Sequence, residues 1–132
     1  METTEYFEAI NKMVDTIIRA SGMDISKMDE QEKQIMGAFC FGILNGYSLK
    51  NQISAVQTQS AMIAVLVQKF QYDPAVAAQF CDFLIKCTDK NYHSTMYAII
   101  HRGMEGYYQL GDTAKLEENL SGTIKTVKKY SE

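Results

Sequence analysis

The stretch Asp29-Glu-Gln-Glu-Lys-Gln-Ile-Met-Gly-Ala-Phe-Cys-Phe-Gly-Ile-Leu-Asn-Gly-Tyr-Ser48 decides the fold class. Its apolar residues Ile35, Met36, Phe39, Cys40, Ile43, Leu44 and Tyr47 recur three and four positions apart. That is the period of one helix face, not the alternation of a strand. Asp29 stands three residues before Glu32, which places its carboxylate to accept from the free amides that open a helix, in a capping box. Beside the apolar face, Ala38, Gly42 and Gly46 repeat every four residues. Glycine inside a helix costs up to about 1 kcal/mol relative to alanine. So bare a strip predicts a close approach, by another helix at a tight crossing in the first instance and by a ligand in a groove in the second.

Five further segments read the same way. Upstream, a helix from about Thr4 to Ala20 carries Phe7, Ile10, Met13, Val14, Ile17 and Ile18 on one face and stops at Gly22. Downstream, Ser54 and Gln57 repeat the capping arrangement before a helix with Val56, Ile63, Val65, Leu66, Val67 and Phe70, the most apolar segment and the one expected at the centre. Asp73-Pro74 suits an N-cap and first helical position. The helix it opens carries Val76, Phe80, Phe83, Leu84 and Cys87. A fifth helix follows Asn91, with Met96, Ile99, Ile100, Met104 and Tyr107, and is expected to close at Gly111. Asp112 caps a sixth, whose sparse Leu116, Leu120, Ile124 and Val127 predict light packing and whose Lys125, Lys128 and Lys129 complement the helix dipole. With short loops and no strand alternation, the expectation is all-α: a single compact bundle of about six amphipathic helices spanning 1–132 as one domain.

Composition bounds the function. A chain of 132 residues, 46% hydrophobic and 22% charged, has the size and apolar content of one self-folding domain. Its net charge of −3 gives no help in approaching phosphates, so no nucleic-acid partner is expected. Residues 1–34 hold eight acids and four bases, an acidic end that serves either solubility or a basic partner. The acid-rich start is unlike a secretory signal, and the apolar run Ala61–Val67 is far short of the roughly 20 residues that span a bilayer. A cytoplasmic protein with no membrane contact is the expectation. Cys81 and Cys87 lie six apart, about 120° around one helix, and with Cys40 they read as small core residues, not a disulfide framework.

Little points to catalysis. His93 and His101 are eight apart with Tyr97 between them and Glu105 beyond. A proton-handling row can be drawn through them, but the plainer reading pairs His101 with Glu105 and lets Arg102 snorkel. Phosphate loops, nucleophile elbows and calcium loops are missing from the sequence. No enzyme, metal or cofactor is therefore expected. What stands out is eight Tyr and eight Met, with Tyr92, Tyr97, Tyr107 and Tyr108 close to His93, His101, Arg102 and Glu105. Tyr and Arg are enriched at interface hot spots, so this segment either faces a partner or closes one end of the bundle.

The string Cys87-Thr-Asp-Lys-Asn-Tyr-His-Ser-Thr-Met-Tyr-Ala-Ile-Ile-His-Arg-Gly-Met-Glu-Gly-Tyr-Tyr-Gln109, preceded by Phe39-Cys-Phe-Gly-Ile-Leu-Asn-Gly46, resembles the bacterial immunity protein 48 family. The likeness runs from residue 5 to 110 and leaves the sixth helix outside it. The resemblance implies a cytoplasmic protein that binds and neutralises a cognate toxin domain of a polymorphic-toxin system, one acting on a cytosolic target such as nucleic acid, a nucleotide cofactor or the translation apparatus. Two mechanisms are open: plugging the toxin's active site, or clamping a remote surface. An acidic plug made by Asp24, Asp29, Glu30 and Glu32 suits a basic nuclease cleft. The other candidate surface holds Tyr92, His93, His101, Arg102, Glu105 and Tyr108. A competing reading is a small ligand-binding or sensor domain with a pocket between the second and fifth helices, lined by Phe39, Phe41, Met96 and Tyr107. A third is an enzyme using His93 or His101 as base.

Overall fold

The structure, a computed structural model, describes residues 2–131. Six α-helices follow in order: α1 (Thr3–Ser21), α2 (Glu30–Lys50), α3 (Ala55–Gln68), α4 (Pro74–Lys86), α5 (Ser94–Tyr107) and α6 (Thr113–Ser131), with a 3-10 turn at Ile25–Lys27 between the first two. The starts are set by local chemistry. Asp29 Oδ1 accepts from the Glu32 amide at 2.7 Å while Glu32 Oε1 accepts from the Asp29 amide at 3.0 Å, a complete capping box. Ser54 caps α3 through the Gln57 amide, but Gln57 Oε1 accepts from the Ser54 hydroxyl instead of closing a box on the backbone. Asp73 caps α4 ahead of Pro74, and Asp112 Oδ1 accepts from the Lys115 amide to open α6.

The centre is α2, not α3 as its apolar content predicts. Every residue from Ile35 to Leu44 is buried, because α1, α3, α5 and α6 all pack around this helix, and a helix surrounded on all sides is apolar on all sides. In α3 only one flank is covered, and Val56 is 72% exposed. Val76 is likewise exposed, so these two valines stand outside the core, while Tyr47 is half-buried and packs against its edge.

The bare strip of α2 is a helix crossing. A Cβ on Gly42 would overlap the Ile100 carbonyl oxygen and lie 2.8 Å from Gly103 Cα. One on Gly103 would overlap the Phe39 carbonyl oxygen. The two backbones touch, and with α2 and α5 so close, the pocket expected between them has no room. Phe39, Phe41 and Met96 are core residues, and Tyr107 lays its ring against Gly46.

One boundary also differs from expectation. α5 ends at Tyr107, where the Tyr108 amide bonds the Glu105 carbonyl, and Gly111 lies in the turn beyond. α6 is seated by Leu116 and Leu120, which are buried, with Ile124 and Val127 half-buried beyond them. At the other side of the bundle, Thr58 Oγ1 lies 2.7 Å from Ser48 Oγ, which is 3.2 Å from Tyr6 Oη, so a buried hydroxyl chain ties α1, α2 and α3. Cys40, Cys81 and Cys87 are free and buried. Burial pushes the Cys40 thiol up to about 12 and the Cys81 thiol to about 11.

Candidate partner-binding surface

α5 and α6 are joined by the short connection 108–112, which folds them into an antiparallel helical hairpin. Asn119 sets its register: its amide nitrogen donates to the Arg102 carbonyl at 3.0 Å and to Gln109 Oε1 at 2.8 Å. Along this contact the helices leave an open groove of about 890 Å³. Its α5 wall carries Thr95, Ala98, Arg102 and Glu105; its α6 wall carries Lys115, Glu118, Gly122, Thr126 and Tyr130. A shallower depression at Lys90–Thr95 shares Ser94 and Thr95 with the groove. The two adjoin at these residues.

That surface gathers four of the six residues predicted on the tyrosine-rich segment. Tyr92 and His93 line the depression, and Arg102 and Glu105, paired with each other at 3.6 Å, line the groove. His101 and Tyr108 do not join them. His101 packs against Tyr97 with the rings tilted and their centroids 4.2 Å apart, and Tyr108 packs edge-on against Tyr107 while 73% exposed. The reason is helical geometry: side chains advance about 100° per residue, so a run of neighbours in sequence scatters around the helix. The pairing of His101 with Glu105 is also corrected, since Arg102 holds that carboxylate.

His93 has a structural task that its sequence context did not reveal. Its Nδ1 accepts from the Met96 amide at 3.1 Å and caps α5, while its ring stands edge-on to Phe83. The proton-handling row drawn through His93 and His101 therefore begins with a nitrogen already engaged. Among the described residues, no group of three or more His, Cys, Asp and Glu side chains is placed to hold a metal ion.

The acidic end is engaged internally. Asp24 accepts from the amide and hydroxyl of Ser26, and these bonds hold its carboxyl below the usual range. Asp29 is lowered first by the Glu32 amide and further by Lys128. Lys128 Nζ lies 2.9 Å from Glu32 Oε2 and 3.5 Å from Asp29 Oδ2, and the Glu32 contact raises its own pKa. Glu30 Oε1 accepts from Tyr72 Oη at 3.0 Å; burial first, and then this bond, push the phenol up. Each of the four acids thus has an intramolecular partner. One of those partners, Lys128, brings positive charge into the patch from the far end of the chain.

The α6 wall was missed by sequence reasoning, although Gly122 in the middle of a helix was a visible signal. Fold and surface together define a small all-helical bundle whose accessible feature is an open groove between its last two helices. The chain matches immunity protein 48 over residues 6–128, and it belongs to that family. The match takes in α6 as far as Lys128, beyond the likeness read from the string alone. No curated protein and no solved structure matches the chain. No helix among the described residues is long and apolar enough to cross a membrane.

Proposed function

We propose that this chain neutralises a cognate toxin domain by binding it in the cytoplasm, and that the surface used is the concavity formed by the α5–α6 groove and the Lys90–Thr95 loop. Membership of an immunity-protein family carries the first half of the reading. The second half rests on the groove: it presents Arg102 and Tyr130, exposed side chains of the types that anchor interfaces and that the core does not use, with the exposed Glu105 beside Arg102. A concave surface takes in a projecting element of a partner and cannot fill a cleft. The mode supported is therefore a clamp on the toxin and not an acidic plug in its active site. The competing plug surface loses support because Asp24, Asp29, Glu30 and Glu32 each already satisfy a partner within the chain.

Survival of cells expressing the toxin encoded beside this gene tests the reading. Wild-type chain rescues growth, and the double charge reversal Arg102→Glu with Glu105→Arg lowers rescue. Equal killing with and without the wild-type chain would refute it.

A further inference from the structure

Among the described residues, no packing contact calls for glycine at Gly122. Five other glycines lie inside helices, Gly37, Gly42, Gly46, Gly103 and Gly106, and a Cβ on any of them would come within 3.0 Å of another element of the protein. A Cβ on Gly122 would meet nothing within 4 Å. Its φ is not positive, so the backbone does not demand glycine either. Glycine in a helix interior nevertheless weakens the helix relative to alanine. The position faces the groove, and the register set by Asn119 and the Arg102 carbonyl places it across from Ala98, one turn further along. Both residues are exposed.

We infer that the groove receives a helix of the toxin domain, whose backbone approaches α6 closely at Gly122. The inference deepens the proposed immunity function and rests on it. The molecule already uses this device internally, where Gly42 and Gly103 let α2 and α5 touch. The 14 residues of α5 make a wall of about 21 Å, the length of four helical turns. Charge defines the occupant further. Near the hairpin turn, Arg102 and Lys115 are balanced by Glu105 and Glu118, and the remaining lining is uncharged, ending at Tyr130. The complementary partner is an amphipathic helix of no strong net charge. It places small residues against Gly122 and side chains of mixed sign against the charged end, in the helix-in-groove mode of recognition.

The probe is the catalytically inactivated toxin domain encoded beside this gene, titrated by calorimetry into wild type, Gly122→Ala, Gly122→Leu and the control Gly111→Ala. Gly111 is equally free of neighbours and lies outside the groove. Alanine and leucine are both better helix formers than glycine, so both Gly122 variants fold and melt at a higher temperature than wild type. The leucine fills the groove and weakens toxin binding by about tenfold or more, while Gly111→Ala binds as wild type does. Affinity falls only modestly between about 0.05 and 0.5 M salt, because screening weakens the few ion pairs at the charged end while the balanced lining exerts no long-range attraction. Unchanged affinity in Gly122→Leu, or steep salt dependence, overturns the groove inference and leaves the immunity reading standing. Failure of the wild-type chain to bind overturns both. Self-association of wild type that Gly122→Leu abolishes assigns the groove to a second copy of this chain and likewise overturns the inference.

Discussion

Lys128, near the end of α6, closes on Glu32, the third residue of α2, with Nζ 2.9 Å from Oε2. One side chain thereby docks the last helix against the start of the central one and quenches part of the acidic end. It also touches Asp29, so the helix cap, the inter-helix contact and the local charge are one arrangement.

That arrangement has a pH signature. The Asp29 carboxyl is held below its ordinary value by the Glu32 amide and Lys128. A carboxyl lowered in the folded state adds stability above the unfolded carboxylate pKa and loses it as pH falls through the lowered folded value. Asn keeps the cap but not the charge. Thermal melts of Asp29→Asn and wild type should differ at pH 7 and converge in acid; a difference constant across pH would contradict this.

The α2–α5 crossing predicts the most damaging small substitution in the protein. Gly42→Ala puts a methyl onto the Ile100 carbonyl, and neither backbone can move without repacking the core. Overpacking of this kind costs about 3 kcal/mol or more, read as a lower urea midpoint. Gly111→Ala, with open space around it, should leave the midpoint within about 0.5 kcal/mol of wild type.

What was legible in the sequence divides along the same line. The Asp29–Glu32 cap and the Gly42 strip could be read because they depend on residues three or four apart. The partner of that strip could not, since Gly103 lies on another helix and periodicity says nothing about which faces meet. α3 was mistaken for the centre because its apolar content is high, whereas centrality belongs to the helix that others surround. Lys128 was assigned to its own helix dipole for the same reason: its contact with Glu32 exists only after folding. On the candidate surface, Arg102 and Glu105 were found together, but His101 and Tyr108 turned away with the helix. The α6 wall went unread.

The thiols offer a check on the core. Burial pushes Cys40 up to about 12 and Cys81 to about 11, and the thiolate is the reactive form. At pH 8 a disulfide reagent should leave both unmodified in the folded chain and label them only on unfolding in denaturant. Rapid native labelling of either would mean that the core packs differently.

At the other extreme of pH, Tyr72 titrates late. Burial and the Glu30 carboxylate raise its phenol. A group raised in the folded state contributes stability below its unfolded value and loses it as pH rises through the folded one. Wild type should therefore lose stability relative to Tyr72→Phe as pH rises above about 10, as measured by denaturant midpoints. A gap independent of pH would show that the phenol is neither buried nor bonded to Glu30.

The central claim is that this chain acts by gripping a toxin. Sedimentation of the purified chain mixed with the purified active toxin domain encoded beside its gene, followed by assay of the toxin in the recovered complex, tests it most directly. The account predicts a one-to-one complex in which the toxin is silent, with activity returning when Arg102→Glu, Glu105→Arg chain is used instead. Two components that sediment separately, or a complex in which the toxin remains fully active, would contradict it.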